Sequence, residues 1–174
     1  MLEVEAKIKL DSIDEIKAIL KEKKARFISK SIQKDTYFNS NQRDFAKTDE
    51  ALRIRDNEGK YELTYKGPKV KGTDAKAREE FNVDINSAEN LEEIFIRLGF
   101  FKSSNVFKTR EEYSYKNTTI ALDVLEGLGH FIEIEVVSDD KEEAIELIDS
   151  VKSDLGIKGE NIRESYLEML LNKK

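Results

Sequence analysis

Two glutamates and a lysine alternate with apolar residues at the start of the chain. Glu3, Glu5 and Lys7 stand two positions apart between Leu2 and Leu10. This period of two predicts a β-strand that carries all three side chains on one face. Two carboxylates on one strand face can share a divalent cation, because such cations prefer oxygen ligands. A lysine one step further along can meet an anion, so the set suits a metal bound to a phosphate chain.

The composition limits what other chemistry the chain can perform. Its 174 residues carry a net charge of −6 at pH 7 and include no cysteine and one histidine. Thiolate metal sites, cysteine nucleophiles and histidine-rich transition-metal sites are therefore excluded. A metal held by carboxylates would be Mg²⁺ or Mn²⁺. The net negative charge argues against a surface that binds nucleic acid through an overall positive charge.

The length and the apolar pattern indicate one domain with no membrane partner. A chain of 174 residues is long enough for a single core and short for two. The apolar runs are shorter than a membrane span or a signal-peptide core. Because the first predicted strand also begins at Leu2, we expect a cytoplasmic protein.

The local patterns predict an α+β domain with a largely antiparallel sheet. Helices are expected over 13–24, between Ser87 and Gly99, from Asp139 or Asp140 onward, and over about 163–171. Polar residues 39–50 predict a loop, and 67–76 predict a second loop that is basic. Strands are expected over 2–10, 27–38, 51–56, 60–66, 78–85, 107–115, 118–125 and 131–136.

Most of the predicted strands carry ionised side chains at alternate positions. Beyond the first strand, these are Arg53, Arg55, Glu62, Lys66, Arg78, Glu80, Lys108, Arg110, Glu112, Asp123, Glu133 and Glu135. An antiparallel sheet with one solvated face gives the same alternation. On periodicity alone, that ordinary arrangement is favoured over a charged tunnel.

The choice of cation and the sorting of charge favour a tunnel instead. Arg53, Arg55, Arg78 and Arg110 are four of the eight arginines, whereas Lys7, Lys66 and Lys108 are three of the 22 lysines. A solvated face would follow the lysine-rich bulk, whereas the planar fork of arginine suits phosphate and carboxylate. The first and the last two strands supply Glu3, Glu5, Asp123, Glu133 and Glu135, and the middle strands supply most of the cations. If the sheet closes, an acidic wall faces a basic wall around a polyanion such as a metal-chelated triphosphate.

The ordered set of motifs resembles the CYTH family, the triphosphate tunnel metalloenzymes. Glu3-Val4-Glu5-Ala6-Lys7 matches the ExExK signature of that family. The resemblance is strongest to the class IV adenylyl cyclase and thiamine triphosphatase branch, and it covers essentially the whole chain, so one CYTH domain is expected over residues 1–174. The later motifs, in family order, are Asp35-Thr36-Tyr37-Phe38, Leu52-Arg53-Ile54-Arg55, Leu63 to Gly67, Arg78-Glu79-Glu80, Lys108-Thr109-Arg110, Asp123 to Gly129, Glu133-Ile134-Glu135 and Ser165-Tyr166-Leu167-Glu168.

The resemblance implies a closed eight-stranded antiparallel β-barrel with helices packed on the outside and a Mg²⁺ or Mn²⁺ cofactor. Carried over by motif, the catalytic residues would be Glu3, Glu5 and Lys7. The metal ligands would be Glu3, Glu5, Asp123, Glu133 and Glu135. The triphosphate-binding residues would be Lys7, Arg53, Arg55, Lys66, Arg78, Lys108 and Arg110.

The remaining polar residues are not assigned a direct role in catalysis or in metal or phosphate binding. Glu62 and Glu80 would orient arginines inside the lumen, and Asp35 and Tyr37 are interpreted as packing residues. The lysines of the basic loop, such as Lys69, are interpreted as solvated, with closure over the tunnel mouth as the alternative.

Three functions are compatible with this pattern. The first hypothesis is a cyclase that converts ATP into cyclic AMP and pyrophosphate, as known in the family. The second is a hydrolase of thiamine triphosphate, a nucleoside triphosphate or inorganic tripolyphosphate. The third is a non-catalytic polyphosphate- or nucleotide-binding module, against which the nearly complete acidic set argues. Family members often form dimers, so a homodimer is an expectation from the resemblance.

Overall fold

Eight antiparallel strands close into a barrel in the computed structural model, which describes residues 2–72 and 76–173. The strands are β1 (Leu2–Leu10), β2 (Arg26–Ser40), β3 (Ala51–Asn57), β4 (Lys60–Lys66), β5 (Lys76–Ile85), β6 (Phe100–Tyr115), β7 (Thr118–Leu125) and β8 (Gly129–Ser138). The helices are α1 (Ile13–Glu22), α2 (Phe45–Thr48), α3 (Ala88–Arg97), α4 (Lys141–Asp154) and α5 (Tyr166–Asn172).

The two ends of the sheet meet to form the barrel. The strand order is β1-β5-β4-β3-β2-β6-β7-β8, and β1 also pairs with β8. In that closing pair, Glu5 lies opposite Glu135 and Lys7 lies opposite Glu133. The predicted fold class, a closed eight-stranded antiparallel barrel, is confirmed.

The hydrophobic core lies between the outer face of the barrel and the helices. Val4, Ala6 and Ile8 of β1 are fully buried on that outer face, next to Ile148 and Val151 of α4. Each fully buried aliphatic side chain of this kind contributes roughly 1.5–3 kcal/mol. The apolar residues of the alternating strands face outward toward the helices. Because successive side chains point to opposite faces of a strand, the charged residues between them point into the barrel.

Helix α4 shows how the sequence holds a helix against this wall. The side chain of Asp140 accepts a hydrogen bond of 3.0 Å from the backbone N–H of Glu143, which caps the first turn. Ala144, Ile148 and Val151 then recur at helical spacing and are all buried. A smaller cluster of Phe38, Ile54 and Phe95 lies under α3.

Beyond boundary shifts of one or two residues, three elements differ from the sequence-based expectation. Strand β6 begins at Phe100 instead of 107, because residues 100–106 pair with the far end of β2 although the stretch is rich in polar residues. The short helix α2 lies within the predicted loop 39–50 and is capped by Asp44. Helix α5 begins at Tyr166, since Ser165 and Glu168 form a capping box.

The described residues include no helix that could span a membrane, and they include only part of the predicted basic loop. None of their helices combines the length and apolar character needed to cross a membrane. Residues 73–75 of the predicted basic loop lie outside the described residues, whereas 67–72 are described.

Candidate active site inside the barrel

The barrel encloses a cavity of about 500 Å³. All the site residues predicted from the sequence line this cavity, except Asp123. These cavity-lining residues are therefore brought together in one place by six strands, β1, β3, β4, β5, β6 and β8. What each side chain contacts inside the cavity decides what it can do.

Lys7 lies at the centre of the wall formed by β1 and β8. Its Nζ is 3.4 Å from Oε1 of Glu133 and 3.6 Å from Oε1 of Glu5. It also donates a 3.1 Å hydrogen bond to the carbonyl of Glu164 and lies 4.2 Å from the ring centroid of Tyr166. Burial alone would lower the pKa of Lys7, but Glu5 and Glu133 raise it above its usual range. Lys7 is therefore a fixed positive charge within an acidic wall.

The carboxylates of this wall crowd one another. Burial, together with the negative charge of Glu5, raises the pKa of Glu135 to about 7. Burial also raises the pKa of Glu3, although Lys66 lies 3.2 Å from its Oε1 and opposes the shift. The same Lys66 pairs with Glu80. The carboxylates of this wall therefore resist being ionised at the same time.

The carboxylate oxygens of this wall are ligands of the type that a divalent cation binds. Several carboxylate oxygens held close together repel one another, and Mg²⁺ and Mn²⁺ take oxygen ligands. Within residues 2–72 and 76–173, however, no three acidic or histidine side chains already stand at the spacing of a metal site. Side chains of the wall would have to rotate in order to share an ion. The metal-ligand assignments of Glu3, Glu5, Glu133 and Glu135 stay predictions.

Asp123 lies behind the cavity surface, in a buried ion-pair network. It accepts a two-point fork from Arg110, with Nε 2.7 Å from Oδ1 and Nη2 2.5 Å from Oδ2. The hydroxyl of Tyr166 donates a further hydrogen bond of 2.7 Å. Burial opposes the charge of Asp123, but Arg110 and Lys108 hold its pKa below the usual range. Asp123 stays a predicted metal ligand. To bind a metal ion, it would first have to release these hydrogen-bond donors.

Arg110 and Lys108 form the cationic side of that network. Arg110 also pairs with Glu133, so one guanidinium joins β6, β7 and β8. Burial, and then the charge of Arg110, lowers the pKa of Lys108 to about 7. Its Nζ lies 3.6 Å from Asp123 and 5.1 Å from the ring centroid of Tyr166. Burial therefore disfavours the charged form of Lys108, and Asp123 opposes that effect.

Asp35 is a site residue that the sequence interpretation missed. Its two oxygens accept from Nε and Nη2 of Arg55 at 2.7 and 2.8 Å. Nη1 of Arg53 lies 3.7 Å from the same carboxylate, and Nη2 of Arg53 donates to Thr64 at 2.9 Å. Asp35 stands directly opposite Arg55 in the register of β2 and β3. The signal in the sequence was an acidic residue on the inward face of a strand. Only the register of β2 with β3 shows that this residue is the partner of Arg55.

Arg78 connects the cavity to the loops at one mouth. Its Nε donates to the carbonyl of Gly67 at 2.6 Å and its Nη2 to the carbonyl of Asp49 at 2.8 Å. These bonds hold the guanidinium in place at the cavity surface.

Helix α5 and the loop after β4 cover the same mouth. Nζ of Lys69 lies 3.3 Å from Oε1 of Glu168 and also pairs with Asp49. Nη2 of Arg163 donates to the carbonyl of Val70 at 3.1 Å. Lys69 therefore lies at the tunnel mouth, as in the alternative interpretation of the loop. The side chains of Tyr166, Leu167, Glu168 and Leu171 line the cavity from α5.

Comparisons with known proteins agree with this architecture. A protein of Methanocaldococcus jannaschii, named provisionally as an adenylate cyclase, is 42% identical over 173 residues, covering 97% of this chain and 98% of that protein. A solved structure of a protein from Pyrococcus horikoshii OT3 is 42% identical, with a TM-score of 0.85 and 99% of each chain covered.

A more distant solved structure shares the fold. This Hippeastrum protein, provisionally named an adenylyl cyclase and described as having a dominant triphosphatase activity, is 20% identical, with a TM-score of 0.75. The match covers 99% of this chain and 96% of that one, and at this identity it shows the fold alone. The family model described as the CYTH domain matches residues 1–166. The chain therefore belongs to the CYTH domain family.

Proposed function

We propose that this chain is a Mg²⁺- or Mn²⁺-dependent enzyme that acts on a triphosphate inside the barrel. Its first candidate reaction is conversion of ATP into cyclic AMP and pyrophosphate. The observation that carries the proposal is the meeting of two charged walls across one cavity. The cations on its surface are Lys7, Arg53, Arg55, Lys66, Arg78, Lys108 and Arg110, and the acidic wall consists of Glu3, Glu5, Glu133 and Glu135.

The basic wall is suited to binding a polyanion because its arginines are held in place before any ligand arrives. Asp35 fixes Arg55 through two hydrogen bonds, and Asp123 fixes Arg110 in the same way. A guanidinium that is already oriented loses less conformational entropy when it binds a phosphate oxygen. Fixed charges of this kind also stabilise negative charge that develops during phosphoryl chemistry.

The acidic wall would hold the metal, with Glu3, Glu5, Glu133 and Glu135 as the side chains in reach. A bound divalent ion neutralises charge on phosphate oxygens and lowers the pKa of an attacking hydroxyl or water. Lys7, between Glu5 and Glu133, would bind a phosphate oxygen beside that wall. The need for so many carboxylates argues against a simple anion-binding module, because an anion alone is repelled by them.

The cyclase and the hydrolase differ in which phosphorus meets the nucleophile. In the cyclase, the ribose 3′-hydroxyl attacks the α-phosphorus and pyrophosphate leaves. The name of the Methanocaldococcus jannaschii relative, at 42% identity, favours this reaction. In the hydrolase, water attacks the terminal phosphorus of thiamine triphosphate, a nucleotide or tripolyphosphate. It is the second candidate because the Hippeastrum protein with this fold is described as a triphosphatase.

Product analysis distinguishes the candidates. The protein is incubated with ATP, thiamine triphosphate and tripolyphosphate, each with Mg²⁺ and with Mn²⁺, and the products are resolved by chromatography. Cyclic AMP with pyrophosphate supports the cyclase, and orthophosphate without a cyclic product supports the hydrolase. Binding without turnover contradicts both and leaves the binding module.

A further inference from the structure

Tyr166, the first residue of α5, contacts site residues from three different strands. Its ring centroid lies 4.2 Å from Nζ of Lys7 on β1 and 5.1 Å from Nζ of Lys108 on β6. Its hydroxyl donates a hydrogen bond of 2.7 Å to Oδ2 of Asp123 on β7. Tyr166 is buried, and it also lines the cavity. One aromatic side chain therefore stands beside two of the proposed phosphate-binding cations.

The chain that leads into α5 is fixed against β1. The backbone N–H of Ile162 donates to the carbonyl of Lys7 at 2.7 Å, and the carbonyl of Glu164 accepts from Nζ of the same lysine at 3.1 Å. Gly159 permits this close approach, because a Cβ at that position would clash with the side chain of Ile8. The path of the backbone therefore leads the aromatic ring to Lys7.

The first turn of α5 is held by its capping box and by the packing of the ring. Oγ of Ser165 accepts from the N–H of Glu168 at 3.1 Å, and Oε2 of Glu168 accepts from the N–H of Ser165 at 2.6 Å. The ring of Tyr166 packs edge-to-face on Phe131 of β8, with 5.2 Å between the centroids. A ring that is already held in this way loses little freedom when a ligand binds.

The face of an aromatic ring attracts an ammonium group through the negative charge of its π-system. The attraction strengthens when the groups are removed from water, and Lys7 and Lys108 are both buried. A lysine has a flexible four-carbon stem, so contact with a fixed ring restricts where its charge lies. Because an ammonium group carries three N–H donors, contact with a ring leaves donors for phosphate oxygens.

Simple packing is the alternative role for Tyr166. Its ring belongs to an apolar cluster with Val106, Leu125 and Phe131, and burial there stabilises the barrel whatever the lysines do. The two roles require different properties of the ring. Packing depends on its volume, whereas attraction to the lysines depends on the negative charge of its face. Fluorine atoms on the ring withdraw that charge and change the volume little.

We propose that Tyr166 is a positioning residue whose ring holds the ammonium groups of Lys7 and Lys108 for the phosphate chain of the substrate. This inference rests on the proposed function, because it assumes that the two lysines bind phosphate. It adds that a residue of α5, and not the strands alone, sets the positions of cations inside the barrel.

The test separates the charge of the ring from its volume. Tyr166→Phe keeps the ring and removes the hydroxyl, and 3,4,5-trifluorophenylalanine at position 166 also weakens the negative charge of the face. The same fluorinated residue in place of Phe131 is the matched control, since that ring packs in the same cluster. Calorimetry in EDTA measures the Kd of tripolyphosphate, KM values in Mg²⁺ are a second readout, and urea unfolding reports the stability of each variant.

We expect Tyr166→Phe to bind tripolyphosphate within about threefold of the wild type. The fluorinated ring at position 166 should bind at least about fivefold more weakly than Tyr166→Phe, whereas fluorination at position 131 should change Kd less than about twofold. Equal binding by the two rings at position 166, a large loss in Tyr166→Phe, or an equal effect at position 131 overturns the inference. Each of these results leaves the proposed function standing.

A double-variant measurement checks that the ring acts through a lysine. In a Lys108→Met background one of the two ammonium groups is absent, so fluorination at position 166 should weaken binding less than it does in the wild type. An undiminished effect overturns the inference. If the wild type neither binds nor turns over any triphosphate, the proposed function itself fails, and the inference fails with it.

Discussion

Asp35 holds Arg55 inside the barrel by two parallel hydrogen bonds, with N–O distances of 2.7 and 2.8 Å. Asp35 is 2% exposed, so this ion pair is almost fully removed from water. The charge of a buried carboxylate must be offset by partners, and here Arg53 and Arg55 supply them. The pair therefore serves the stability of β2 and β3, and it orients an arginine that we propose binds phosphate.

Removing the charge of Asp35 should destabilise the fold. In Asp35→Asn, Arg55 keeps its buried charge but loses one acceptor, and breaking a buried pair from one side costs about 3–5 kcal/mol. Urea unfolding followed by circular dichroism measures the loss. Glu93→Gln, which breaks an exposed pair with Arg97 on α3, is the control and should cost less than about 1 kcal/mol. Equal effects of the two changes would contradict this interpretation.

The stability contributed by Asp35 should disappear in acid. Burial opposes its charge, but Arg53 and Arg55 hold the pKa of Asp35 well below its usual range in the folded state. A carboxylate whose folded pKa is depressed contributes stability above its unfolded pKa, near 3.8. That contribution is lost as the pH falls through the folded pKa.

Thermal unfolding at several pH values checks this dependence. The Tm difference between wild type and Asp35→Asn should be constant from pH 7 to about 5 and shrink below about pH 4. A difference that grows as the pH falls would mean that the sign of the linkage is wrong.

Arg55→Ala should weaken triphosphate binding, because Arg55 is one of the cations on the cavity surface. Loss of one charged contact costs about 1.5–3 kcal/mol, or roughly 10- to 150-fold in Kd. Calorimetry with tripolyphosphate in EDTA measures it. Arg26→Ala, an exposed arginine at the start of β2, is the matched control and should bind as the wild type does. An unchanged Kd in Arg55→Ala would remove this arginine from the binding site.

Glu5→Gln should abolish metal-dependent turnover while the barrel persists. The change keeps the size of the side chain but removes a charge from the proposed metal-binding wall. Turnover of the best substrate across a Mg²⁺ titration, together with a circular dichroism spectrum, measures both properties. Glu126→Gln, an exposed carboxylate in the turn before β8, should retain full activity. Full activity in Glu5→Gln would refute the metal assignment.

The sequence predicts the strands and their charged faces well because both depend on the local period of two. Residues 118–125 and 60–66 are strands within the predicted limits. It does not predict which charges become partners, since that depends on register between distant strands. Asp123 illustrates this limit, because only the pairing of β6 with β7 places it opposite Arg110. The first seven residues of β6 were missed because pairing with β2, not hydrophobic alternation, defines them.

The pairing of β1 with β8 makes the proposed site a product of the whole chain. Glu5 and Glu135, which face each other there, are separated by almost the entire barrel in sequence. Contacts of such long range form late and slow folding, since the loop-closure entropy must be overcome first. During synthesis the acidic wall cannot exist until β8 has left the ribosome. A divalent ion that binds this wall would then stabilise the closed barrel over every partly folded form, so that metal supply and folding yield would be coupled.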